Sequence, residues 1–186
     1  MSTPVLVAII VVVVLCAAGA ALWVYLQQRT RKLHERFGPE YDRTVHEMGG
    51  RRQAESALEK REKRVERLHL RPLEAADQAR FTEQWRQVQA RFVDSPQMAV
   101  SEADTLVGEL MSMRGYPVAD FEQRAADISV DHPHVMENYR SAHAIALRHK
   151  RGEASTEDLR QAMVQYRTLF DDLLVAREAT VTEVRR

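Results

Sequence analysis

Residues 5–26 read VLVAIIVVVVLCAAGAALWVYL, a run with no charged side chain and nothing more polar than Cys16, Trp23 or Tyr25. A helix rises about 1.5 Å per residue, so this run makes a rod of roughly 33 Å, enough to cross a hydrocarbon core of about 30 Å. The reading is a membrane helix from which the rest of the chain hangs. Ala18-Gly19-Ala20 has the small residues of a signal-peptidase site. Against cleavage, the leader MSTP has no basic residue, and Leu22 to Leu26 prolong the apolar run past the cut. Leu15 before Cys16 does not suit a lipoprotein signal, so Cys16 reads as a lipid-facing or packing residue.

Working outward, Arg29, Arg31, Lys32 and Arg36 follow the run at once, whereas its N-terminal side carries only the α-amino charge. The bias of cations toward the inner face predicts that the C-terminal side is cytoplasmic and the N-terminus outside. Trp23 and Tyr25 then fall at headgroup level, where amphipathic rings prefer to sit. Trp23, Tyr25, Arg29, Arg31, Lys32 and Arg36 are the expected membrane-interface residues. The bilayer, with anionic lipid headgroups opposite residues 29–36, is the expected first partner.

The chain has 27 Lys and Arg against 27 Asp and Glu, and this balance conceals an asymmetry. Residues 29–72 hold thirteen basic and eight acidic side chains, and residues 73–186 hold fourteen and nineteen. An acidic distal part is a poor match for phosphate backbones, which argues against nucleic acid as a partner. The single Cys permits no disulfide within the chain. The 114 residues from 73 onward suffice for one small core.

The prolines at 4, 39, 72, 96, 117 and 133 sit where helices would start or stop. No stretch alternates polar and apolar residues long enough for a sheet. The expected fold is all-α: a leader at 1–4, a transmembrane helix at 5–26, a basic juxtamembrane segment and charged helical stalk at 27–72, an antiparallel bundle of four to five helices at 73–178, and a tail at 179–186. In the stalk, Phe37-Gly38-Pro39 and Gly49-Gly50 predict breaks. Ala54, Leu58, Arg61, Val65 and Leu68 repeat at 4,3,4,3 spacing, either on a solvated spacer helix or as the seam of a coiled-coil homodimer through residues 54–68. Helical throughout, residues 40–69 would lift the bundle about 45 Å from the bilayer.

Within the bundle, helices are expected at 74–92 (Phe81, Trp85, Val88 and Phe92 inward), 96–114 (Ser95 as N-cap, Gly115 as terminator), 119–127 (Phe121 and Ala125 inward) and 131–151. The last opens on Ser155-Thr156-Glu157-Asp158 and carries Leu159, Met163, Tyr166, Phe170 and Leu173, the most regular core stripe in the chain. Short linkers favour antiparallel neighbours.

Asp131, His132, His134 and Glu137 are the candidate metal ligands, since carboxylate and imidazole in one cluster suit zinc and its relatives. A di-metal bundle needs Glu-x-x-His pairs on two helices, which this sequence lacks, so no metal is expected. The plainer reading has Asp131 or His132 capping the helix, His134 exposed, and His143 and His149 on its flank. No cytosolic Cys, no Gly-x-Ser-x-Gly and no Gly-rich loop appears, so neither enzyme activity nor a cofactor is expected. The loops Arg114-Gly115-Tyr116-Pro117 and Asp131-His132-Pro133 are least like plain connectors, which makes Arg114, Tyr116, Asp131 and His132 candidate interaction residues.

FGPEYDRTV at 37–45, RGYPVADFEQRAADISVDHP at 114–133 and NYRSAHAIALRHKRGEASTEDLRQAMVQYRTLF at 138–170 resemble a group of bacterial single-pass membrane-anchored proteins. The resemblance spans most of residues 33–175. It implies a bacterial cell (inner) membrane and a shared helical domain, and brings no activity, ligand or catalytic residue. The functional expectation is a membrane-tethered cytoplasmic adaptor or scaffold that meets a protein partner. The alternative is a ligand- or metal-responsive helical sensor, enzymatic or not, built on the His and Asp residues of 131–149.

Overall fold

The computed structural model describes residues 3–117 and 120–175, with side chains from residue 11 onward. Every regular element among them is helical. The leader's Met1-Ser2, the expected helix start at Ala119, the bundle's end at 178 and the tail 179–186 lie outside the described residues. The chain forms two compact units, residues 1–59 and 60–186, whose boundary falls inside one helix.

The first unit is built on α1, Thr3–Phe37, which runs unbroken from the apolar stretch into the basic flank. Every side chain from Val11 to Leu26 is exposed, so nothing in the unit covers this apolar surface. One helix near the N-terminus is thus long and apolar enough to cross a membrane. Its last turns are different. Leu33 and Phe37 are buried, together with Tyr41 and Thr44 of α2 (Pro39–Met48) and Ala54 and Leu58 of α3 (Arg51–Val65). Gly38-Pro39 separates α1 from α2, and Gly49, in the left-handed region, closes α2.

Polar contacts hold the three helices together. The buried Glu55 carboxylate accepts from Thr30 at 2.7 Å and from the Tyr41 hydroxyl at 3.0 Å, and Arg29 pairs with Glu59. Burial, and then the Glu55 carboxylate, push the Tyr41 phenol above its ordinary value.

The breaks expected at 37–39 and 49–50 are present, and between and beyond them residues 40–59 are not a solvated spacer. They fold back on α1, and the Ala54 and Leu58 stripe is buried within its own chain. Apolar residues at 4,3 spacing say that a helix face is covered, not what covers it.

The second unit contains α4 (Ala75–Arg91), α5 (Pro96–Met113), α6 (Phe121–Ile128), a 3-10 turn at Pro133–Val135, α7 (Met136–Lys150) and α8 (Thr156–Val175). Contacts fix the directions. Along α7 and α8, His132 meets Asp172, Tyr139 meets Tyr166 edge-on at 6.4 Å, and Arg148 meets Asp158 at 2.8 Å. One number rises as the other falls, so this pair is antiparallel. Between α5 and α8, Asp104 meets Tyr166 and Arg114 meets Leu173, both numbers rising, so these helices run parallel. Arg71 against Met113 at one end and Arg91 against Glu102 at the other set α4 antiparallel to α5.

The stripe Leu159, Met163, Tyr166, Phe170 and Leu173 is wholly buried and forms the centre of the core. Trp85 of α4 stacks on Phe170, with ring centroids 4.7 Å apart and planes 19° from parallel. Ser95 occupies the N-cap of α5 without a capping bond, and Pro96 supplies the first turn.

Ser155 and Asp158 form a reciprocal cap on α8. The Asp158 N–H donates to Ser155 Oγ at 3.1 Å, while the Asp158 carboxylate accepts from the Ser155 N–H at 2.8 Å and its hydroxyl at 2.7 Å. Those bonds from Ser155, and a further one from Arg148, lower the Asp158 pKa from 3.8 to about 2. A carboxyl with a depressed folded-state pKa adds stability above its unfolded pKa, which is lost as pH falls through the folded value. Asp158→Asn is therefore expected to unfold less steeply than the wild type between about pH 4 and pH 2, and Ser155→Ala to cost about 1 kcal/mol at neutral pH. Thermal melts followed by circular dichroism across that range check both, and parallel wild-type and Asp158→Asn acid limbs would exclude this role.

Candidate functional site

The loops singled out by composition meet at one end of the second unit. At the C-terminus of α5, the Gly115 N–H donates to the Ser112 carbonyl and the Tyr116 N–H to the Met111 carbonyl, both at 3.0 Å. This is the paired bonding of a Schellman cap, with buried Tyr116 against buried Met111 as its apolar contact. The cap fixes the direction of both neighbours. Arg114 turns inward, 8% exposed, and donates at 2.8 Å to the Leu173 carbonyl of α8. Tyr116 donates at 3.1 Å to Asp131. Burial, and then the Asp131 charge, raise its phenol far above the ordinary tyrosine value.

From the other side come His132 and His134. His132 is 5% exposed, and its Nδ1 meets one oxygen of Asp172; His134, on the surface, places Nε2 3.0 Å from the other. Burial by itself would raise the Asp172 carboxyl, but the hydrogen bonds and charge of His132, then of His134, hold it below its ordinary value. A neighbouring polar centre forms around Asp127, almost fully buried, which accepts from Arg64 Nε at 2.6 Å and from Gln123 at 3.1 Å.

The expected interaction residues Arg114, Tyr116, Asp131 and His132 are thus brought together, but three of the four are buried and bonded inward. Chemically the cluster ties the end of α5 and the α6–α7 connection to α8. Neither Asp131 nor His132 caps α7, as the sequence suggested. The chain takes a 3-10 turn first, which frees the His132 ring to reach Asp172. Of the metal candidates, His132 and His134 converge on Asp172, Asp131 goes to Tyr116, and Glu137 stays exposed. No group of three or more His, Cys, Asp or Glu placed to hold a metal occurs among the described residues. His143 lies flat on Phe121, centroids 3.6 Å apart, and burial lowers its pKa.

Asp172, Asp127 and Arg64 were not legible as site residues. Each is one more charge on a helix flank until the fold supplies a partner forty or more residues away.

At the end of the apolar run, Trp23 and Tyr25 are more than half exposed. Arg31, Lys32 and Arg36 are exposed too, while Arg29 is half-buried against Glu59 and Arg31 pairs with Glu35 at 2.7 Å. No protein-family model matches the chain, and neither a curated protein nor a solved structure is significantly similar to it.

Proposed function

We propose that this protein is a single-pass adaptor of a bacterial inner membrane, with its N-terminus outside, α1 crossing the bilayer and the rest of the chain in the cytoplasm, where the second unit meets a protein partner. The observation that carries the reading is the continuity of α1. The same helix exposes sixteen consecutive residues from Val11 to Leu26 and buries Leu33 and Phe37 under α2 and α3. A large uncovered apolar surface calls for lipid or a partner. Here it belongs to an apolar run, residues 5–26, that is of bilayer length and ends at a basic flank, which favours lipid and the cytoplasmic orientation. The basic flank at residues 29–36 also supports contact with anionic headgroups.

Two measurements test this. Alkaline phosphatase fused after residue 186 should be inactive and a fluorescent protein at the same site bright; active phosphatase would reverse the orientation. Crosslinking in intact cells should then capture partners with the full chain that are lost when residues 73–178 are removed, and identical captures would dismiss the adaptor role.

A further inference from the structure

The second unit has a cleft of about 660 Å³ beside α4 and α5, lined among others by Arg71, Arg80, Phe81, Asp104, Gly108 and Arg124. Its size is that of a small-molecule site. Three guanidinium groups face it against the carboxylates of Asp104 and Glu109. Asp104 is already engaged by the Tyr166 hydroxyl at 3.0 Å. Arg71 donates to the Met113 carbonyl, and Arg80 pairs with Asp77 while lying 4.6 Å from the Phe81 ring centre.

Arg124 is different. Its Nε is buried and has no hydrogen-bond partner. A buried guanidinium donor without an acceptor is costly. Gly108, beneath it, lies in the interior of α5, where glycine is the poorest helix former after proline. A Cβ there would come within 3.2 Å of Arg124 Nη1. The missing side chain gives the guanidinium its seat on the bare helix. A weak helix residue thus seats the Arg124 guanidinium, its Nε enclosed, at the cleft wall. Phosphate and carboxylate groups match a guanidinium fork with two parallel N–H···O bonds.

We propose that this cleft binds the oxyanion of a small ligand, phosphate or carboxylate, on Arg124. The site is independent of the adaptor reading and of the membrane orientation. One negative charge neutralises the lining, and Arg80, held over Phe81, supplies a second cation at the mouth.

The test uses the full chain in phosphatidylcholine nanodiscs, titrated calorimetrically with inorganic phosphate and, separately, with succinate. At least one is expected to bind saturably, and its affinity to fall tenfold or more in Arg124→Gln and in Gly108→Leu. The second variant fills the seat while improving the helix, so its melting temperature should not drop, and weakened binding in it cannot be put down to unfolding. Repeating the titration in phosphatidylglycerol nanodiscs separates the sources: abolished binding of the free anion marks a lipid headgroup as occupant, and unchanged binding marks a soluble acid. Absence of saturable binding by both anions in neutral nanodiscs, or affinities in both variants equal to wild type, overturns the proposal.

Discussion

Gly115→Ala is expected to destabilise the second unit by about 3 kcal/mol, the sum of a left-handed alanine at 1–2 kcal/mol and at least one lost backbone hydrogen bond. Gly115 has φ +96°, and a Cβ on it would stand 2.5 Å from the His69 carbonyl oxygen and 3.2 Å from its carbon. Both obstacles are backbone, so no rotamer change relieves them. The 69–71 segment would have to lift, and it is bound where it lies, since the Arg71 N–H donates to the Arg114 carbonyl at 3.0 Å and Arg71 Nε to Met113 at 2.8 Å. Gly152 supplies the control. Its φ is +75°, but nothing lies within 4 Å of a Cβ there. Gly152→Ala should cost only the conformational part, about 1 kcal/mol. Paired thermal melts should show a loss of roughly 10 °C for Gly115→Ala against a few degrees for Gly152→Ala. Equal losses would mean that the close approach of the 69–71 backbone contributes nothing.

Phe170→Ala is expected to cost about 4 kcal/mol, in the range measured when a buried aromatic is truncated and the site cannot collapse. The ring is 1% exposed, sits in the centre of the α8 stripe and stacks on Trp85, so its removal opens a void between α4 and α8. Phe170→Leu refills most of that space and loses the ring stacking, for a cost of about 1.5 kcal/mol. The sequence has two tryptophans, and Trp23 lies in the apolar stretch, so a Trp23→Phe background makes Trp85 the sole reporter. Its emission should shift to the red at a lower urea concentration in Phe170→Ala than in Phe170→Leu. Coincident transitions would show that α4 is not held on α8 through this pair.

The helices of the second unit were readable because their signals are local. Pro96, Gly115 and Ser155 mark ends through the bonding needs of a single turn, and the Leu159 to Leu173 stripe follows from periodicity alone. The packing of residues 40–59 on α1 was not readable. It depends on Glu55 finding Thr30 and Tyr41, and on Arg29 finding Glu59, pairings that a list of charges leaves open. The same limit hid Asp172 behind His132. Arg124 gave no signal either, although the one helix-interior glycine of α5, Gly108, is a sequence-level hint that something lies close against it.

The parallel course of α5 and α8 has a practical outcome for engineering. Because Arg114 touches both Arg71 and Leu173, the segment that leads into α4 and the last turns of α8 share one pole. The turns at 92–95 and 151–155 occupy the opposite pole. Joining the neighbouring ends by a short glycine-rich bridge and opening the chain at either far turn would give a circular permutant with its helical contacts intact.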